Sequence, residues 1–539
     1  MSFGIDLGTT NTAVSTMVGD EPQALKFGDA QQQSEYVPSV VAFKMGPQPK
    51  TAHGVAAKAL VGDPDWEVYQ NFKMLLGEPE AVVADHWPHL PEPPDAIVRH
   101  FIAALIGQID RERQRKPRRI VVTVPEVWQL QNLQTKREQL IAGFRHQGIR
   151  QVEVRSEPVA AATYYLHCFR RNHHQPFQGH LLVCDCGGGT LDFCLVQVEA
   201  IDQGRPRMTV LERAGNGMMA DGQIGSAGVA YDQAVVDHLF PGLRDSDPAR
   251  FFRRVHELER QKIALTAQLT DELSLFHQAP DALEGDALFR LADGEVEVQA
   301  GHLVQVFDQI IKPDIEAAIS ALKPRLEHHR VELANSERFR VLMVGGFSSF
   351  YLIQHAIKAA FGNVASKDKR FEDVLTLPDR ALAIAKGAAL IANDLAEIIE
   401  VCPANIGVKC FEQRSDGELK ARWYPILHKA QRIGDYHSPQ WSADPFTIVS
   451  ADSLLEIFVE SIPGRPIPLK LTGETLSAFL PEGFVPEESK IEVGFSVDEN
   501  MIFSVHMRPV RDHRRVRSKT LGNLMAQMPG LLTEGGKRR

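Results

Sequence analysis

The feature that most constrains this fold is an apolar strand near the N-terminus that runs into an acidic residue and then into a Gly-Thr-Thr turn. The segment reads GIDLGTTNT over residues 4–12 and continues into a second β-branched strand. Such a hairpin can wrap a polyphosphate, because Gly8 lets the backbone come close to the anion while threonine hydroxyls and N–H groups donate to it. Asp6 then stands where it can hold hydrated Mg²⁺.

A second copy of this pattern stands much later in the chain. Residues 182–192 read LVCDCGGGTLD, so Asp185 precedes a Gly-Gly-Gly-Thr turn much as Asp6 precedes the first turn. These two motifs are an internal repeat of the sequence. Two such hairpins in one chain predict two homologous half-domains that close on one nucleotide.

Composition and charge are those of a globular protein. Hydrophobic residues make up 44% and charged residues 24% of the 539 positions, which argues against a disordered or fibrous chain. The formal net charge of -10 argues against general nucleic-acid binding. The sequence has no apolar run of membrane-spanning length, and Asp6 interrupts any secretory signal. The six cysteines lack zinc-type spacing, so we interpret them as buried thiols and expect a cytoplasmic protein.

The secondary-structure pattern divides the chain into two unequal parts. Up to residue 395 strands alternate with helices, which is typical of α/β architecture. Past residue 400 helical periodicity is lost, proline is frequent, and short alternating strands predict an all-β module. We therefore expect an α/β domain over 1–395, a linker over 396–402, a β-sandwich over 403–512 and a basic, flexible tail over 513–539.

Two further segments can reach the same ligand. Gly345 and Gly346 follow a buried strand and let the backbone lie flat against a ligand such as adenosine. A helix around 251–269 places Glu259, Lys262 and Thr266 in one polar stripe. Read alone, such a stripe is more typical of a solvated face than of a binding site. The residues of this helix that could instead face a core are Phe252, Val255 and Ile263.

The chain resembles the 70-kilodalton heat-shock chaperone family (DnaK type) over nearly its whole length. The opening DLGTTN, the second turn DCGGGTLD and SEPVAAA at 156–162 are highly specific as a set. The other matching motifs are NFKMLLG around Lys73, VTVP ending at Pro125, ERQKIALT at 259–266 and VGGFSS at 344–349. The resemblance implies an actin/hexokinase-like two-lobed α/β ATPase domain followed by a small all-β sandwich domain.

The resemblance also implies roles for individual residues, with ATP or ADP and Mg²⁺ as cofactors. Asp6 and Asp185 match the carboxylates that hold magnesium-bound water, and Lys73 matches the catalytic lysine beside the γ-phosphate. Glu157 matches an acidic residue that orients water, and Thr190 matches a position that contacts the γ-phosphate. The positions that match nucleotide-binding residues of the family are Gly8, Thr9, Thr10, Asn11, Gly187, Gly188, Gly189, Gly228, Glu259, Lys262, Thr266, Gly345, Gly346 and Ser348.

The chain departs from the family pattern on the adenine side and at the C-terminal end. Ile263 stands where the family has a basic residue, and FSS at 347–349 replaces a Ser-Thr-Arg type of sequence, so we expect weaker nucleotide binding. The linker carries Ile398 and Ile399 between two glutamates, which is more polar than the family's leucine run. Too few residues follow 512 for a full helical lid, so we expect a lidless cleft that releases substrates quickly.

The resemblance implies an ATP-dependent molecular chaperone, in which ATP binding and slow hydrolysis control the binding of extended client peptides by the β-domain. It further implies a J-domain co-chaperone and a nucleotide-exchange factor as partners, and we expect neither membrane nor nucleic-acid binding. Two alternatives stay open: a specialised regulatory ATPase with one dedicated protein partner, and an actin-like filament former or small-molecule kinase. The basic residues from Arg508 to Lys519 could bind acidic partners or nucleic acid, although we interpret them as a solvated, flexible tail.

Overall fold

The computed structural model describes most of the chain. The residues it describes are 1–28, 33–44, 50–78, 83, 93–126, 128, 133–201, 205–216, 227–283, 285–292, 294–362, 369–371, 374, 375, 377–413, 417–460, 466–469, 475–481, 484, 485, 490–498 and 501–524. Within these ranges no helix combines the length and the apolarity that a membrane span requires.

The first lobe is a mixed sheet with a smaller antiparallel sheet beside it. Its strands are β1 (Ser2–Leu7), β2 (Asn11–Val18), β3 (Glu21–Ala24), β4 (Phe27–Gly28), β5 (Gln33–Ser34), β6 (Tyr36–Pro38), β7 (Val40–Lys44), β8 (Lys50–His53), β9 (Trp66–Gln70), β10 (Arg119–Val124) and β11 (Gln151–Ser156). Its helices are α1 (Val55–Lys58), α2 (Phe72–Leu75), α3 (Pro94–Arg113) and α4 (Leu133–His146).

The main sheet of this lobe has the order β11-β10-β1-β2-β3, with β6 beside β2. Strand β10 reads RIVVTV and is buried from Ile120 to Val124, as expected for a central parallel strand that is covered on both faces. Since β1, β10 and β11 are parallel, their carboxyl ends meet at one edge of the sheet. This edge brings together Asp6 and the residues that follow β10 and β11.

The second lobe repeats this arrangement. Its strands are β12 (Gly179–Cys186), β13 (Leu191–Ala200), β14 (Pro206–Asn216), β15 (Ala287–Leu291), β16 (Val296–Gln299), β17 (Phe339–Val344) and β18 (Glu397–Glu400). Its helices are α5 (Glu157–His173), α6 (Gly228–Leu239), α7 (Leu243–Ser246), α8 (Pro248–Ala264), α9 (Thr266–Gln278), α10 (Ala300–Ile310), α11 (Lys312–His328), α12 (Tyr351–Ala360) and α13 (Leu377–Ala392).

The sheet of the second lobe has the order β17-β12-β13-β14-β18. The hairpin β12-β13 has β17 parallel to its first strand, as the hairpin β1-β2 has β10 parallel to its first strand. The two halves therefore share one local topology, which the repeated hairpin motif predicts. In both halves the glycine-rich turn follows the carboxyl end of a buried strand.

Two glycines allow α13 to cross the first sheet and α5 at backbone contact. A Cβ added at Gly4 would lie 2.1 Å from the backbone nitrogen of Ala389, and one added at Gly387 would lie 1.7 Å from the Ala160 carbonyl oxygen. Helices α5 and α13 pack against each other between the lobes. Their contact joins the two sheets beneath the glycine-rich turns.

The chain after the linker forms two antiparallel sheets, which we call the β-module. Its strands are β19 (Asn405–Gln413), β20 (Leu419–Leu427), β21 (Gln440–Trp441), β22 (Phe446–Thr447), β23 (Ile457–Glu460), β24 (Ile467–Pro468), β25 (Lys490–Val497), β26 (Ile502–Pro509) and β27 (Arg517–Asn523). One sheet has the order β20-β19-β23-β24, and the other is built on β25, β26 and β27. Residues of both sheets share one buried core, which includes Ile406, Ile457, Phe495 and Val505.

The expected flexible tail is wrong over residues 517–523, because this segment is β27 and pairs antiparallel with β26. Leu524 after it is fully buried. The error has a physical reason: β27 is an edge strand with largely exposed polar and basic side chains, and such a strand has the composition of a solvated tail. Residues after 524 lie outside the described part of the chain.

Candidate functional site

Both glycine-rich hairpins open onto one cavity between the lobes. The cavity has a volume of about 1440 Å³ and is lined by residues of both lobes. Asp6 and Glu157 reach it from the carboxyl edge of the first sheet, and Asp185 reaches it from the second. All the candidate residues predicted from the sequence line this cavity, with the exception of Ser348.

Ser348 lies behind the wall of the cavity. Its side chain is fully buried, and its hydroxyl donates a hydrogen bond to the Gly345 carbonyl oxygen at 2.7 Å. The turn after β17 is a short 3-10 helix over Gly346–Ser349, and this helix directs Ser349 to the cavity instead. The expectation that Ser348 lines the cavity is therefore wrong: its neighbour Ser349 does so, and the Ser348 hydroxyl stabilises the turn.

The two hairpin turns face each other at backbone contact. A Cβ added at Gly188 would lie 2.7 Å from Thr10 Cγ2, and one added at Gly189 would lie 2.4 Å from Thr9 Oγ1. The second turn is closed by the Gly187 N–H, which donates to the Thr190 carbonyl oxygen at 3.0 Å. Only glycine at these positions lets the threonine side chains of one turn lie this close to the backbone of the other.

Lys73 and Glu157 form a buried ion pair in the wall of this cavity. Lys73 Nζ lies 2.6 Å from Glu157 Oε1, and the two side chains are 2% and 9% exposed. Lys73 is buried because α2 is otherwise apolar and packs into the first lobe. The lysine ammonium also lies 5.6 Å from the ring centre of Trp128, a buried residue that sequence reasoning missed. A buried ammonium paired with a carboxylate can position water and neutralise developing phosphate charge.

Burial sets the protonation of the two hairpin carboxylates. Removal from water and the nearby charge of Glu157 raise the pKa of Asp6 to about 7. Burial, with Glu157, Asp192 and Asp6 adding repulsion, raises the pKa of Asp185 well above its ordinary value. Lys73 opposes both shifts. Carboxylates in this setting favour any ligand that brings positive charge.

The carboxylates fit a magnesium ion that keeps most of its water. Asp185 Oδ2 is buried and has no hydrogen-bond partner among the described residues. Carboxylate oxygens suit a hard cation, and Mg²⁺ is usually bound through one or two carboxylates together with waters and substrate phosphates. Within the described part of the chain no group of three or more His, Cys, Asp or Glu side chains could enclose a metal. The donor set therefore suits hydrated Mg²⁺ bound with a polyphosphate.

The opposite end of the cavity is formed by α8 and an aromatic cluster. Lys262 Nζ lies 2.5 Å from Asp232 Oδ1 and 4.9 Å from the ring centre of Phe347. Phe347 and Phe350 stack with 5.8 Å between their ring centres. Burial raises the pKa of Asp232 to about 6, although Lys262 opposes this shift. The Lys262 ammonium is thus fixed over aromatic faces. Neither Asp232 nor this aromatic cluster could be recognised from the sequence pattern.

Glu259 joins the two lobes across the mouth of the cavity. Lys58 Nζ in α1 lies 3.1 Å from Glu259 Oε2 in α8. Burial raises the pKa of Glu259, but His256 and Lys58 outweigh burial and lower it to about 2. Glu259 therefore stays ionised, and the polar stripe predicted on this helix faces the cavity.

Two apolar residues of α8 were expected in a core and instead line the cavity. The exposed fractions are 40% for Phe252 and 63% for Ile263, whereas Val255 belongs to the core of the second lobe. The expectation was wrong for these two residues because the buried stripe of α8 combines Val255 with Phe251 and Leu258 instead. Phe252 and Ile263 therefore form an apolar patch on the cavity wall. Ile263 is also the position at which the family has a basic residue.

Comparison with known families agrees with the geometry. A family model described as "Hsp70 protein" matches residues 2–100 and 93–410. The match spans both hairpins, the Lys73–Glu157 pair, the glycine turn after β17 and strand β18. It covers well over half of the chain. Members of this family are chaperone-type ATPases with an actin/hexokinase-like fold and generally bind ATP or ADP with Mg²⁺. The chain belongs to the Hsp70 family.

Proposed function

We propose that this protein is an ATP-dependent molecular chaperone, in which nucleotide binding and slow hydrolysis in residues 1–395 control client binding by the β-module. The observation that carries the proposal is the meeting of two glycine-rich turns beside Lys73, Glu157 and an Asp185 oxygen that has no hydrogen-bond partner among the described residues. This arrangement supplies phosphate contacts, a cation site and a water-positioning pair in one cavity. Function in the cytoplasm is part of the same proposal.

Each part of the cavity has a distinct task in this proposal. Asp6 and Asp185 would hold Mg²⁺ through its water, and the ion would neutralise phosphate charge. The hydroxyls of Thr9, Thr10 and Thr190 would donate to phosphate oxygens, together with backbone N–H groups of the 187–189 turn. The remaining predicted contacts, at Gly8, Asn11, Gly228, Gly345 and Gly346, line the same wall.

Lys73 and Glu157 would perform the chemical work. Glu157 is an acceptor fixed at the N-terminus of α5, and Lys73 is a donor fixed by Glu157. Together they hold a water by donating to it and accepting from it, and the lysine charge stabilises negative charge that develops on the phosphate. Little covalent chemistry is required of the protein, so a slow reaction suits a timing role.

Client binding by the β-module rests on its apolar surface. The described part of the module exposes large apolar side chains, among them Phe411, Leu419, Leu454 and Ile467. Such residues suit extended apolar segments of unfolded chains. A J-domain co-chaperone and a nucleotide-exchange factor are the proposed partners. The sequence-based expectation of a missing lid concerns the residues after 512. Of these, 517–523 form β27, and those after 524 lie outside the described part.

The rate of peptide release tests the proposal. A fluorescent apolar peptide is bound to the full chain, and its release is followed by stopped flow with and without Mg²⁺-ATP. We expect ATP to accelerate release, because its binding changes the relative stability of the two domain arrangements. Equal rates would remove the chaperone cycle. Failure to bind generic peptides, combined with capture of one stoichiometric protein, would instead indicate a dedicated regulatory ATPase.

A further inference from the structure

A buried arginine joins the linker strand to the edge of the first sheet. Arg213 in β14 lies between two carboxylates: its Nε is 2.9 Å from Glu126 Oε2, and its terminal nitrogen is 2.7 Å from both oxygens of Glu400. The side chains of Arg213 and Glu126 are 8% and 0% exposed. Glu126 lies two residues after the end of β10 in the first lobe, and Glu400 belongs to β18, so this ion triad connects three separate parts of the chain.

One hydroxyl group connects this ion triad to the Lys73–Glu157 pair. Ser156 Oγ donates a hydrogen bond to Glu126 Oε1. The same Ser156 oxygen accepts from the Val159 N–H at 3.4 Å and caps α5. The first residue of that helix is Glu157, which pairs with Lys73. A continuous set of contacts thus runs from the linker strand to the wall of the nucleotide cavity.

We propose that Glu126 is a positioning residue for Glu157, and that Arg213 makes this positioning depend on whether β18 is paired with β14. The inference rests on the proposed function and deepens it. When β18 is paired, Arg213 divides its donors between two carboxylates, and Glu126 keeps an oxygen for Ser156. When β18 leaves, Arg213 has Glu126 as its remaining partner in the triad, so the Glu126 carboxylate turns toward Arg213 and loosens the cap.

The electrostatics of the triad support this dependence. Burial raises the pKa of Glu126, and Arg213 opposes that rise. A charge removed from water is costly unless it is paired, so the three groups cannot change partners independently. Loss of Glu400 therefore alters the geometry of Glu126 rather than leaving it unaffected.

The same pair of strands offers a matched control. Arg207 in β14 lies 3.1 Å from Glu397 in β18, with exposed fractions of 31% and 34%. This second Arg–Glu pair joins the same two strands, with Arg207 directly opposite Glu397, which lies three residues from Glu400 along β18. Arg207 forms its ion pairs with Glu397 and Glu199. Glu397→Gln therefore reports the general effect of weakening the linker strand without touching the triad.

Hydrogen exchange of the nucleotide-free full chain tests the inference without relying on activity. We expect Glu400→Gln to speed amide exchange in residues 156–163 about tenfold, since one hydrogen bond to a charged group is lost from the set. Glu397→Gln should leave the amide exchange rate of the same segment within about twofold of wild type, because partly exposed ion pairs contribute little to stability. If Glu400→Gln changes only residues 397–400, the proposed coupling is wrong.

A double-mutant cycle on single-turnover ATP hydrolysis provides the second measurement. Ser156→Ala removes the connection, and Ser156→Thr keeps its hydroxyl. We expect Glu400→Gln to change the rate in the wild-type and Ser156→Thr backgrounds but to have no further effect in Ser156→Ala. A purely structural role would instead give additive effects in all backgrounds. Absence of hydrolysis in the wild type would overturn the proposed function, while hydrogen exchange would still decide the coupling.

Discussion

At the scale of single residues, the buried ammonium of Lys73 explains how the cavity can act on a phosphate. Substitution of Lys73 by alanine removes the donor that Glu157 holds at 2.6 Å. We expect single-turnover ATP hydrolysis to fall about 100- to 1000-fold, because an interaction aimed at developing charge is lost. Nucleotide affinity should change far less, since the turns and Mg²⁺ supply most phosphate contacts. Lys44→Ala, at an exposed ion pair with Asp65, is the control and should hydrolyse at the wild-type rate.

The close approach of the two turns gives a second prediction at this scale. A Cβ at position 189 would lie 2.4 Å from Thr9 Oγ1, so Gly189→Ala forces the turns apart. We expect ATP affinity, measured by calorimetry, to fall about tenfold through this overpacking. Gly301→Ala, in the same lobe with open space around its Cβ, should bind ATP as wild type does. Equal affinities for Gly189→Ala and wild type would show that the turns do not grip one ligand.

The carboxylates predict a pH dependence of ligand binding. With its pKa raised to about 7 by burial and Glu157, Asp6 is largely protonated below that pH and cannot attract Mg²⁺. The stability that protonated Asp6 contributes to the ligand-free fold is therefore present at low pH and lost as pH rises through about 7. We expect the increase in Tm caused by Mg²⁺-ADP to be larger at about pH 8 than at about pH 6.

Asp6→Asn is the control for this pH dependence, because it removes the titrating group and keeps the size of the side chain. In this variant the Tm increase caused by Mg²⁺-ADP should differ less between the two pH values than it does in the wild type. A wild-type Tm increase that is independent of pH would contradict the assignment of Asp6 to the cation site.

At the scale of elements, the contact of α5 with α13 determines how firmly the lobes are joined. A Cβ at position 387 would lie 1.7 Å from the Ala160 carbonyl oxygen. We expect Gly387→Ala to lower the free energy of unfolding by about 1–3 kcal/mol, because the helices must separate. Gly107→Ala in α3, whose Cβ would meet the flexible end of Arg111, should not destabilise the protein. Thermal unfolding of both variants measures the difference.

The sequence was sufficient for elements whose pattern is local. The two hairpins, the strand before Pro125 and the stripe of Glu259 and Lys262 could all be recognised from neighbouring residues. Contacts between residues that are distant along the chain could not be recognised, because sequence spacing carries no information about them. Lys58, for example, contacts Glu259, which lies 201 positions further along the chain. The same holds for Arg213, which pairs with Glu400 across 187 positions.

The local sequence pattern also failed to predict the placement of residues whose surroundings are unusual for their residue type. The polar edge strand β27 has the composition of a tail, and its pairing with β26 depends on the finished sheet. Phe252 and Ile263 are apolar but line a cavity, which a helical pattern cannot distinguish from a core. Ser348 and Ser349 are adjacent, and the 3-10 turn decides which one reaches the cavity.

At the scale of the whole molecule, the β-module is connected to the second lobe through β18. This strand pairs in parallel with β14, and Val401 after it bridges to Arg432 in the β-module. Strand β27 also lies against α4 of the first lobe. Docking of the linker and docking of the β-module are therefore parts of one arrangement, so a change in one is expected to shift the other.

Ile398 tests this arrangement because it packs against the core of the second lobe and lies opposite the buried Met208. We expect Ile398→Asp to release β18 from β14, since an unpaired carboxylate cannot stay in this apolar contact. Protease cleavage within residues 396–402 should become faster, and ATP should no longer accelerate peptide release. Leu275→Asp places the same charge at a residue of α9 that is 44% exposed and should preserve both properties. If Ile398→Asp still releases peptide at the wild-type ATP-stimulated rate, nucleotide control of the β-module does not pass through the linker strand.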